Sequence, residues 1–324
     1  MASQFNKKIY VLHDFNIKLS MYNLTKNFQI KINQKVKNNI IFISIDDFKK
    51  VDKFKKEIKI YWGNRLNGEM LEKLSNLKWI HYGSSGVNYN LKNQIAERKI
   101  KLTRSNKIMI KPVVSSILFQ ILFLARDMFP LLEKKRYDRI TFENNFDNIS
   151  DFFDEKFLIF GHGDIAKLLN KSLNKIGTNS EIVKLKELKK ILKNKIIIKK
   201  IQNSKFIINC LPLNDGTKNF FDKKIFKYFK NTFFINAGRG ETVNDKDLIR
   251  FIETKKINTS ALDVFNKNSY ISPYRPLNYS SKLWKNKKIL ITPHIAGWSN
   301  KYWKLQIQLF ISEFNKKLTK NLFG

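Results

Sequence analysis

The chain has 324 residues, of which 43% are hydrophobic and 27% are charged, and its formal net charge is +35 at pH 7. This length accommodates two domains with buried cores, and the apolar content excludes a chain that is disordered throughout. The single cysteine, Cys210, excludes an intramolecular disulfide and a multi-cysteine metal site, which favours a reducing, cytoplasmic location.

The positive charge does not indicate nucleic acid as the main partner. Only nine of the 62 basic residues are arginines, and the lysines are spread through every segment together with many Asn and Ile residues, which share A/T-rich codons. A protein that reads phosphates or bases would keep more arginine. The apolar runs fall short of the ~20 residues that span a bilayer, and residues 1–8 lack an apolar signal core, so we expect neither membrane insertion nor export.

Residues 1–110 alternate short apolar runs with polar helical stretches. Strands are predicted at 9–12, 40–43, 58–62, 77–82 and 100–103, and helices at 20–28, 46–54 and 67–74. This alternation is typical of a parallel sheet covered on both faces. The fourth strand runs into Gly83, Ser84, Ser85 and Gly86, a small-residue turn that is either an anion site built from backbone N–H groups or an ordinary loop.

The longest helical pattern covers residues 112–136. Pro112 suits the first turn of a helix. Apolar residues then recur at helical spacing, at Val113, Ile117, Ile121, Leu124 and Met128. Because the pattern is apolar on most sides, this helix should be buried between parts of the molecule, and the mixed stretch at 137–155 should connect two domains.

A strand at 157–160, a glycine turn and a helix to residue 176 open the next part of the chain. Gly161, Gly163, Asp164, Ile165 and Ala166 follow the strand in the order of a dinucleotide-binding fingerprint. The glycines allow a tight turn and the approach of a pyrophosphate to the helix N-terminus.

The next strand, at 180–183, ends at Lys184 and Lys186. An NAD site usually has an acidic residue here for the ribose 2′-hydroxyl, whereas lysines favour the extra phosphate of NADP. The cofactor is therefore NAD or NADP, with these two lysines favouring NADP.

Two later strand ends carry candidate catalytic chemistry. The apolar strand at 233–236 stops at Ala237, Gly238, Arg239 and Gly240, so that a guanidinium, whose planar fork matches a carboxylate, stands between two glycines. The strand at 289–292 delivers His294, whose place at a strand tip favours a functional role over that of a core histidine.

The remaining elements are ordinary. A strand is predicted at 206–210, where Cys210 should be a buried apolar residue and not a nucleophile. Further helices are predicted at 222–229, 244–253 and 300–320, and a further strand at 260–264.

Five stretches occur in one characteristic order: 161–166, Leu211-Pro212-Leu213 with Thr217, 235–240, 261–265 and 292–297. Together they closely resemble the D-isomer-specific 2-hydroxyacid dehydrogenases, a group that includes glyoxylate/hydroxypyruvate reductases and phosphoglycerate dehydrogenase. The resemblance implies an α/β fold of two doubly wound parallel-sheet domains. A Rossmann cofactor domain at 119–298 would be inserted into a flavodoxin-like substrate domain at 1–118 plus 299–324, and a homodimer would form through the cofactor domain.

The resemblance also implies roles for single residues. Arg239 would bind the substrate carboxylate and the 2-oxo oxygen, and His294 would be the acid/base group. Ser84, Ser85 and Gly86 would bind the other side of the carboxylate through their backbone amides. The implied cofactor contacts are Gly161, Gly163, Asp164, Ile165, Lys184, Leu211, Pro212, Thr217, Ala237, Gly238, Asp263, His294 and Gly297, with Asp263 near the nicotinamide amide. No metal is expected.

The family's catalytic glutamate, which raises the pKa of the histidine and orients its ring, is missing from its expected place. Its position falls on Asn268 when counted from Arg239, and on Arg275 when counted back from His294. An Asn could orient the imidazole without raising its pKa, and an Arg would lower that pKa. The family's usual glutamate near the start of the long helix is Ser115 in this chain.

Two functional hypotheses follow. The first is an oxidoreductase that transfers a hydride between NAD(P)H and a small 2-oxo or 2-hydroxy acid of the glyoxylate or hydroxypyruvate type. The alternative, motivated by the missing glutamate, is a catalytically impaired dinucleotide-binding regulatory protein on the same fold. The expected partners are a small 2-oxo acid and a second copy of the chain.

Overall fold

The computed structural model describes residues 8–36, 38–84, 91–134, 139–143, 146, 149–188, 191–266 and 277–318 of the chain. The chain divides into two compact units, one formed by Met1–Met109 with Trp298–Gly324 and the other by Ile110–Gly297. The division between residues 109 and 110 falls within one long helix. Each unit contains one parallel sheet.

The first unit has a five-stranded sheet in the order β2-β1-β3-β4-β5. Its strands are β1 (Ile9–His13), β2 (Ile40–Ser44), β3 (Ile58–Gly63), β4 (Trp79–Tyr82) and β5 (Lys101–Arg104). Its helices are α1 (Lys26–Val36), α2 (Phe48–Phe54), α3 (Gly68–Lys73), α4 (Lys92–Glu97) and the late α14 (Tyr302–Leu318). This strand order is that of flavodoxin-like folds, as expected.

Apolar side chains cover both faces of the first sheet. On one face, the rings of Trp62 and Trp79 stack on Phe310 of α14, with centroids 4.2 Å and 5.4 Å from it. On the other face, Leu12, Ile80 and their neighbours form a second buried cluster. Because both faces are buried, these strands read as nearly continuous apolar runs in the sequence.

The second unit has a six-stranded sheet in the order β11-β10-β9-β8-β6-β7. Its strands are β6 (Lys156–Phe160), β7 (Asn179–Val183), β8 (Phe206–Asn209), β9 (Thr232–Asn236), β10 (Ile257–Leu262) and β11 (Ile289–Ile291). Its helices are α5 (Asn106–Ala125, shared with the first unit), α6 (Phe129–Lys134), α7 (Arg139–Glu143), α8 (Asp164–Lys175), α9 (Leu185–Leu188), α10 (Lys195–Asn203), α11 (Lys223–Phe226), α12 (Asp245–Glu253) and α13 (Lys282–Lys285).

The strand order of the second unit reverses beside β6. Doubly wound sheets bind ligands at such a switch point, beyond the carboxyl ends of the strands. The core near the amino ends of these strands is aromatic: Phe157, Phe206 and Phe233 lie side by side on β6, β8 and β9, with successive ring centroids 4.8 Å apart. This aromatic layer is fully buried and packs the amino-terminal part of the sheet, at the opposite end of the strands from the candidate site.

Helix α5 differs from its prediction at both ends. It begins at Asn106, so that Pro112 lies inside it and not in its first turn. It ends at Ala125, because Asp127 takes a left-handed φ of 44° and donates its N–H to the Leu124 carbonyl. By length and composition α5 could cross a membrane, contrary to the sequence-based expectation, but Ile117, Gln120 and five other residues of it are buried within the fold.

The prediction of a helix at residues 20–28 is wrong. Only a short 3₁₀ turn, Ser20–Tyr22, forms there, and α1 starts at Lys26. The hydroxyl oxygen of Thr25 accepts a long hydrogen bond from the Phe28 N–H, which is a helix N-terminal cap. The apolar pattern alone did not reveal this start.

Candidate active site

The glycine turn after β6 has the geometry of an anion site. Gly161 has a φ of 122°, and a Cβ there would lie 2.8 Å from the Cys210 carbonyl oxygen. Gly163 occupies the N-cap position of α8, where no side chain makes a capping hydrogen bond, and a Cβ at Gly163 would meet nothing within 4 Å. The backbone N–H groups of Asp164 and Ile165 belong to the first turn of α8, at this uncapped end. The open, uncapped N-terminus therefore fits the pyrophosphate of a dinucleotide.

Lys184 and Lys186 lie exposed at the carboxyl end of β7. The Lys184 N–H donates to Oε2 of Glu187 at 2.7 Å. A carboxylate therefore stands beside the two lysines, at the edge where dinucleotide sites hold the adenosine ribose.

The stretch from Leu211 to Thr217 forms its own hydrogen-bonded turn. The buried Thr217 hydroxyl donates to the Pro212 carbonyl at 2.6 Å and accepts from the Asn214 N–H at 2.8 Å. Leu211 is buried, and its N–H donates to Oδ1 of Asn209. The Thr217 side chain therefore shapes the turn, and Pro212 is exposed, as are residues 214–216.

Two buried amides position the turn that carries Arg239. Asn209 and Asn236 are register partners at the ends of β8 and β9, and Nδ2 of Asn209 donates to Oδ1 of Asn236 at 2.9 Å. The same Nδ2 donates to Oγ1 of Thr242 at 2.6 Å, and that hydroxyl donates to the Arg239 carbonyl at 2.6 Å. A chain of buried hydrogen bonds thus runs from β8 to the Arg239 backbone.

The two glycines beside Arg239 are required by close packing. A Cβ at Gly238 would lie 2.7 Å from the Leu211 carbonyl oxygen, and a Cβ at Gly240 would overlap the Phe265 carbonyl group. Ala237, half-buried, donates its N–H to the Asn209 carbonyl. The Arg239 side chain is exposed and donates from Nη1 to the Gly238 carbonyl at 2.8 Å.

The turn that carries His294 is bound to Asp263, which follows β10. Oδ1 of Asp263 accepts from the Thr292 hydroxyl at 2.6 Å and from the Ile295 N–H at 3.0 Å, and Oδ2 accepts from the Ala296 N–H at 3.0 Å. His294 has a left-handed φ of 57°, and its side chain is exposed. Both carboxylate oxygens of Asp263 are therefore engaged by this turn. Gly297, half-buried, ends it.

The charges of Arg239 and Asp263 both act on His294. Although His294 as a whole is exposed, partial desolvation of the imidazole lowers its pKa; the Asp263 carboxylate opposes this lowering and the Arg239 guanidinium adds to it. Burial raises the pKa of Asp263, against its hydrogen bonds from Thr292 and Ala296 and the charge of His294. The three side chains therefore form one electrostatic group at the adjacent ends of β9, β10 and β11.

Other predicted residues belong to the first unit, pack in the core or are outside the described residues. Ser84 is half-buried in the first unit, after a Gly83 carbonyl that accepts from Nε2 of Gln306 at 2.6 Å. Ser85, Gly86, Asn268 and Arg275 are not among the described residues. Cys210 is half-buried, not fully buried as predicted, and it packs against the core; desolvation of its thiol raises the thiol pKa to about 12, which agrees with an inert thiol. Within the part of the chain that the structure describes, no group of three or more His, Cys, Asp or Glu side chains could hold a metal ion.

Sequence reasoning missed the residues that position the site. Asn209 and Asn236 each end a buried apolar strand, and a polar residue at such a position was a usable signal. Thr292 and Gln120 carried no such signal: Nε2 of Gln120, on α5, donates to Oγ1 of Thr292 at 3.4 Å across 172 residues of chain.

Comparison with known proteins agrees with this arrangement. The NAD binding domain of the D-isomer specific 2-hydroxyacid dehydrogenases matches residues 118–296. A probable 2-ketogluconate reductase of Dictyostelium discoideum is 43% identical over 97 residues, which are 30% of this chain and 27% of that protein. Glyoxylate/hydroxypyruvate reductase B of Escherichia coli strain K12 is 26% identical over 241 residues, 72% of each chain.

Solved structures share the fold over nearly the whole chain. An NAD-dependent formate dehydrogenase from Staphylococcus aureus in complex with NAD has a TM-score of 0.74 at 17% identity, covering 98% of this chain and 96% of that one. An NADPH-dependent glyoxylate/hydroxypyruvate reductase from Sinorhizobium meliloti, with NADP and malonate, has a TM-score of 0.71 at 14% identity, covering 96% and 94%.

These findings confirm the predicted family, the two parallel-sheet α/β architecture and a nicotinamide dinucleotide as cofactor. The relatives are named as reductases and dehydrogenases, so the alternative of a non-catalytic regulator is not favoured. The chain belongs to the D-isomer specific 2-hydroxyacid dehydrogenase family and is an NAD(P)-dependent oxidoreductase.

Proposed function

We propose that this enzyme reduces a small 2-oxo acid of the glyoxylate or hydroxypyruvate type, and oxidises the corresponding 2-hydroxy acid in the reverse direction. The observation that carries the proposal is the electrostatic group formed by Arg239, His294 and Asp263 at neighbouring strand ends of an NAD-binding domain. The names of the Escherichia coli and Sinorhizobium meliloti reductases support this substrate class.

Each side chain has a part in this reaction. The exposed Arg239 guanidinium binds the substrate carboxylate and stabilises negative charge on the 2-oxo oxygen as it becomes an alkoxide. His294, as imidazolium, donates a proton to that oxygen. A bound nicotinamide dinucleotide supplies the hydride. The contribution of Ser84, Ser85 and Gly86 to carboxylate binding stays a prediction.

The decisive experiment follows NADPH and NADH oxidation with a panel of 2-oxo acids. We expect turnover with glyoxylate or hydroxypyruvate, and its loss in Arg239→Ala, because the substrate then lacks its counter-charge. Arg250→Ala is the matched control, since Arg250 is an exposed arginine on α12 of the same unit. Absence of turnover in the wild-type protein, or full activity in Arg239→Ala, would contradict the proposal.

We also propose a homodimer formed through the second unit. Several large apolar side chains are exposed on or after its first three helices: Phe119, Leu122, Leu131, Leu132, Ile140 and Phe146. An apolar surface of this kind indicates a protein contact. Light scattering should give twice the chain mass, and the double change Phe119→Glu and Leu122→Lys should lower it to that of one chain.

The location that we propose is the cytoplasm, where reduced nicotinamide cofactors and an unoxidised Cys210 coexist. Cell fractionation tests this directly, since recovery in a membrane or exported fraction would contradict it.

A further inference from the structure

Asp263 uses its whole side chain to hold the residues around His294. It is 3% exposed, and its carboxylate accepts from Thr292, Ile295 and Ala296, the residues on either side of the histidine. The left-handed φ of His294 is unfavourable for a residue with a Cβ, so the turn needs such bonds to persist. The carboxylate therefore fixes the backbone that presents the imidazole.

The hydrogen bonds around Asp263 run in one direction only. Nε2 of Gln120 donates to Oγ1 of Thr292, so the Thr292 hydroxyl is free to give its proton to Oδ1 of Asp263. The other two donors are backbone N–H groups. An ionised carboxylate satisfies all three donors. Gln120 is itself buried, with 1% of its surface exposed.

Asp263 is the acidic side chain that acts on the His294 imidazole among the described residues. Asp263 from the end of β10 and Arg239 from the end of β9 are the charged side chains that act on His294 among the described residues. From α5 the contacting side chain is the neutral Gln120, through Thr292. The two positions at which the family's glutamate is expected hold Asn268 and Arg275, and neither is acidic.

We propose that Asp263 is the carboxylate partner of His294 in this chain, acting as a positioning residue that fixes the 292–296 turn and supplies the negative charge that the family's glutamate supplies elsewhere. This role rests on the proposed acid/base function of His294. It differs from a contact with the nicotinamide amide, because the Asp263 oxygens are directed to the turn.

The test is the titration of His294 by ¹H–¹⁵N NMR in wild-type protein and in Asp263→Asn. The chain has four histidines, and burial lowers the pKa of His13 and His81 to about 4. The His162 signal is identified by its loss in His162→Asn. We expect Asp263→Asn to lower the pKa of His294 by about one unit, because an opposite charge is removed.

A matched control separates charge from turn geometry. Thr292→Val removes one hydrogen bond to Oδ1 while leaving the carboxylate in place, so it should loosen the turn without lowering the pKa of His294 as Asp263→Asn does. An unchanged His294 titration in Asp263→Asn, or the same decrease in both variants, would overturn the proposal.

A reciprocal measurement avoids altering Asp263, in case Asp263→Asn fails to fold. Since coupling between two sites is mutual, His294→Gln should raise the pKa of Asp263, read by ¹³C-carboxyl NMR of aspartate-labelled protein. An unchanged Asp263 titration would refute the pairing. Neither NMR measurement needs turnover. If the wild-type protein reduces no 2-oxo acid, the proposed function is refuted, while the pairing of Asp263 with His294 is still decided by NMR.

Discussion

Asn209 and Asn236 lie opposite each other at the carboxyl ends of β8 and β9, and their side-chain amides are joined by a 2.9 Å hydrogen bond beneath the Arg239 turn. Both residues are fully buried. Asn209 also donates to Thr242 and accepts from the Leu211 N–H, so one side chain connects two turns that border the candidate site.

Asn209→Leu should weaken substrate binding through Arg239. The change leaves the Leu211 N–H and the Thr242 oxygen without their partner, which costs about 1–3 kcal/mol of folding stability. The displaced Arg239 turn should raise KM for the 2-oxo acid by about tenfold to a hundredfold. Steady-state kinetics and urea unfolding measure the two effects.

Asn258→Leu is a control for loss of stability alone. Nδ2 of Asn258 donates to Oδ1 of Asn231 at 2.7 Å, a similar amide pair at the amino end of β10, away from the candidate site. It should lower stability without raising KM. If both variants raise KM equally, the Asn209 network does not position Arg239.

The rate of 2-oxo acid reduction should fall as pH rises through the pKa of His294. Reduction needs the imidazolium, and desolvation lowers the pKa of His294 from its ordinary value, so the fall should begin below pH 6.5. Oxidation of the 2-hydroxy acid needs the neutral imidazole and should rise over the same range. The pH profiles of kcat/KM check this, and His294→Gln should abolish the pH dependence along with most of the rate.

Replacing Lys184 and Lys186 by glutamate should shift cofactor preference from NADPH towards NADH. Both lysines are exposed at the end of β7, where a positive charge favours a 2′-phosphate and a carboxylate favours a 2′-hydroxyl. The ratio of kcat/KM with NADPH to that with NADH should fall by at least about tenfold. The double change Lys195→Glu and Lys199→Glu, at two exposed lysines of α10, is a control for charge alone. An equal fall in that control would assign the effect to overall charge.

The first unit should lose stability in mild acid because His81 is buried in its neutral form. Nδ1 of His81 accepts from the Thr103 hydroxyl at 2.6 Å, since that hydroxyl already accepts from Nε1 of Trp79. Nε2 therefore carries the proton and donates to Ser105, whose hydroxyl donates in turn to Gln306. A second proton on His81 has no acceptor in this network.

The sign of the effect follows from the pKa of His81, which burial lowers from 6.5 to about 4. The unfolded chain binds the proton below pH 6.5 and the folded chain only near pH 4, so stability is lost as pH falls between these values, by up to about 3 kcal/mol. Urea unfolding at pH 7.5 and 5.0 measures this loss. It should be smaller in His81→Gln; an equal loss would assign the acid sensitivity to other groups such as His13.

The sequence determined the parts of this protein that depend on neighbouring residues. The glycine turn at 161–166, the Arg239 turn and the His294 tip could be read directly, because the order of strand, small residues and polar residue is a local property. The alternation of strands and helices predicted two parallel sheets for the same reason. The sequence pattern did not predict the helix ends that depend on a cap or on a left-handed residue. These are the start of α1, capped by Thr25, and the end of α5, followed by the left-handed Asp127.

Only the tertiary structure decided what surrounds these side chains. Asp263 reaches the His294 turn across about thirty residues, Asn209 reaches Thr242 across 33, and Gln120 reaches Thr292 across 172. Adjacent parallel strands bring their carboxyl ends to one edge regardless of the chain between them, so the Asp263 and Asn209 contacts depend on strand order. The Gln120 contact depends on where α5 packs. The sequence showed an acid missing after β10; the fold places Asp263, the residue that directly follows that strand, against the histidine's turn.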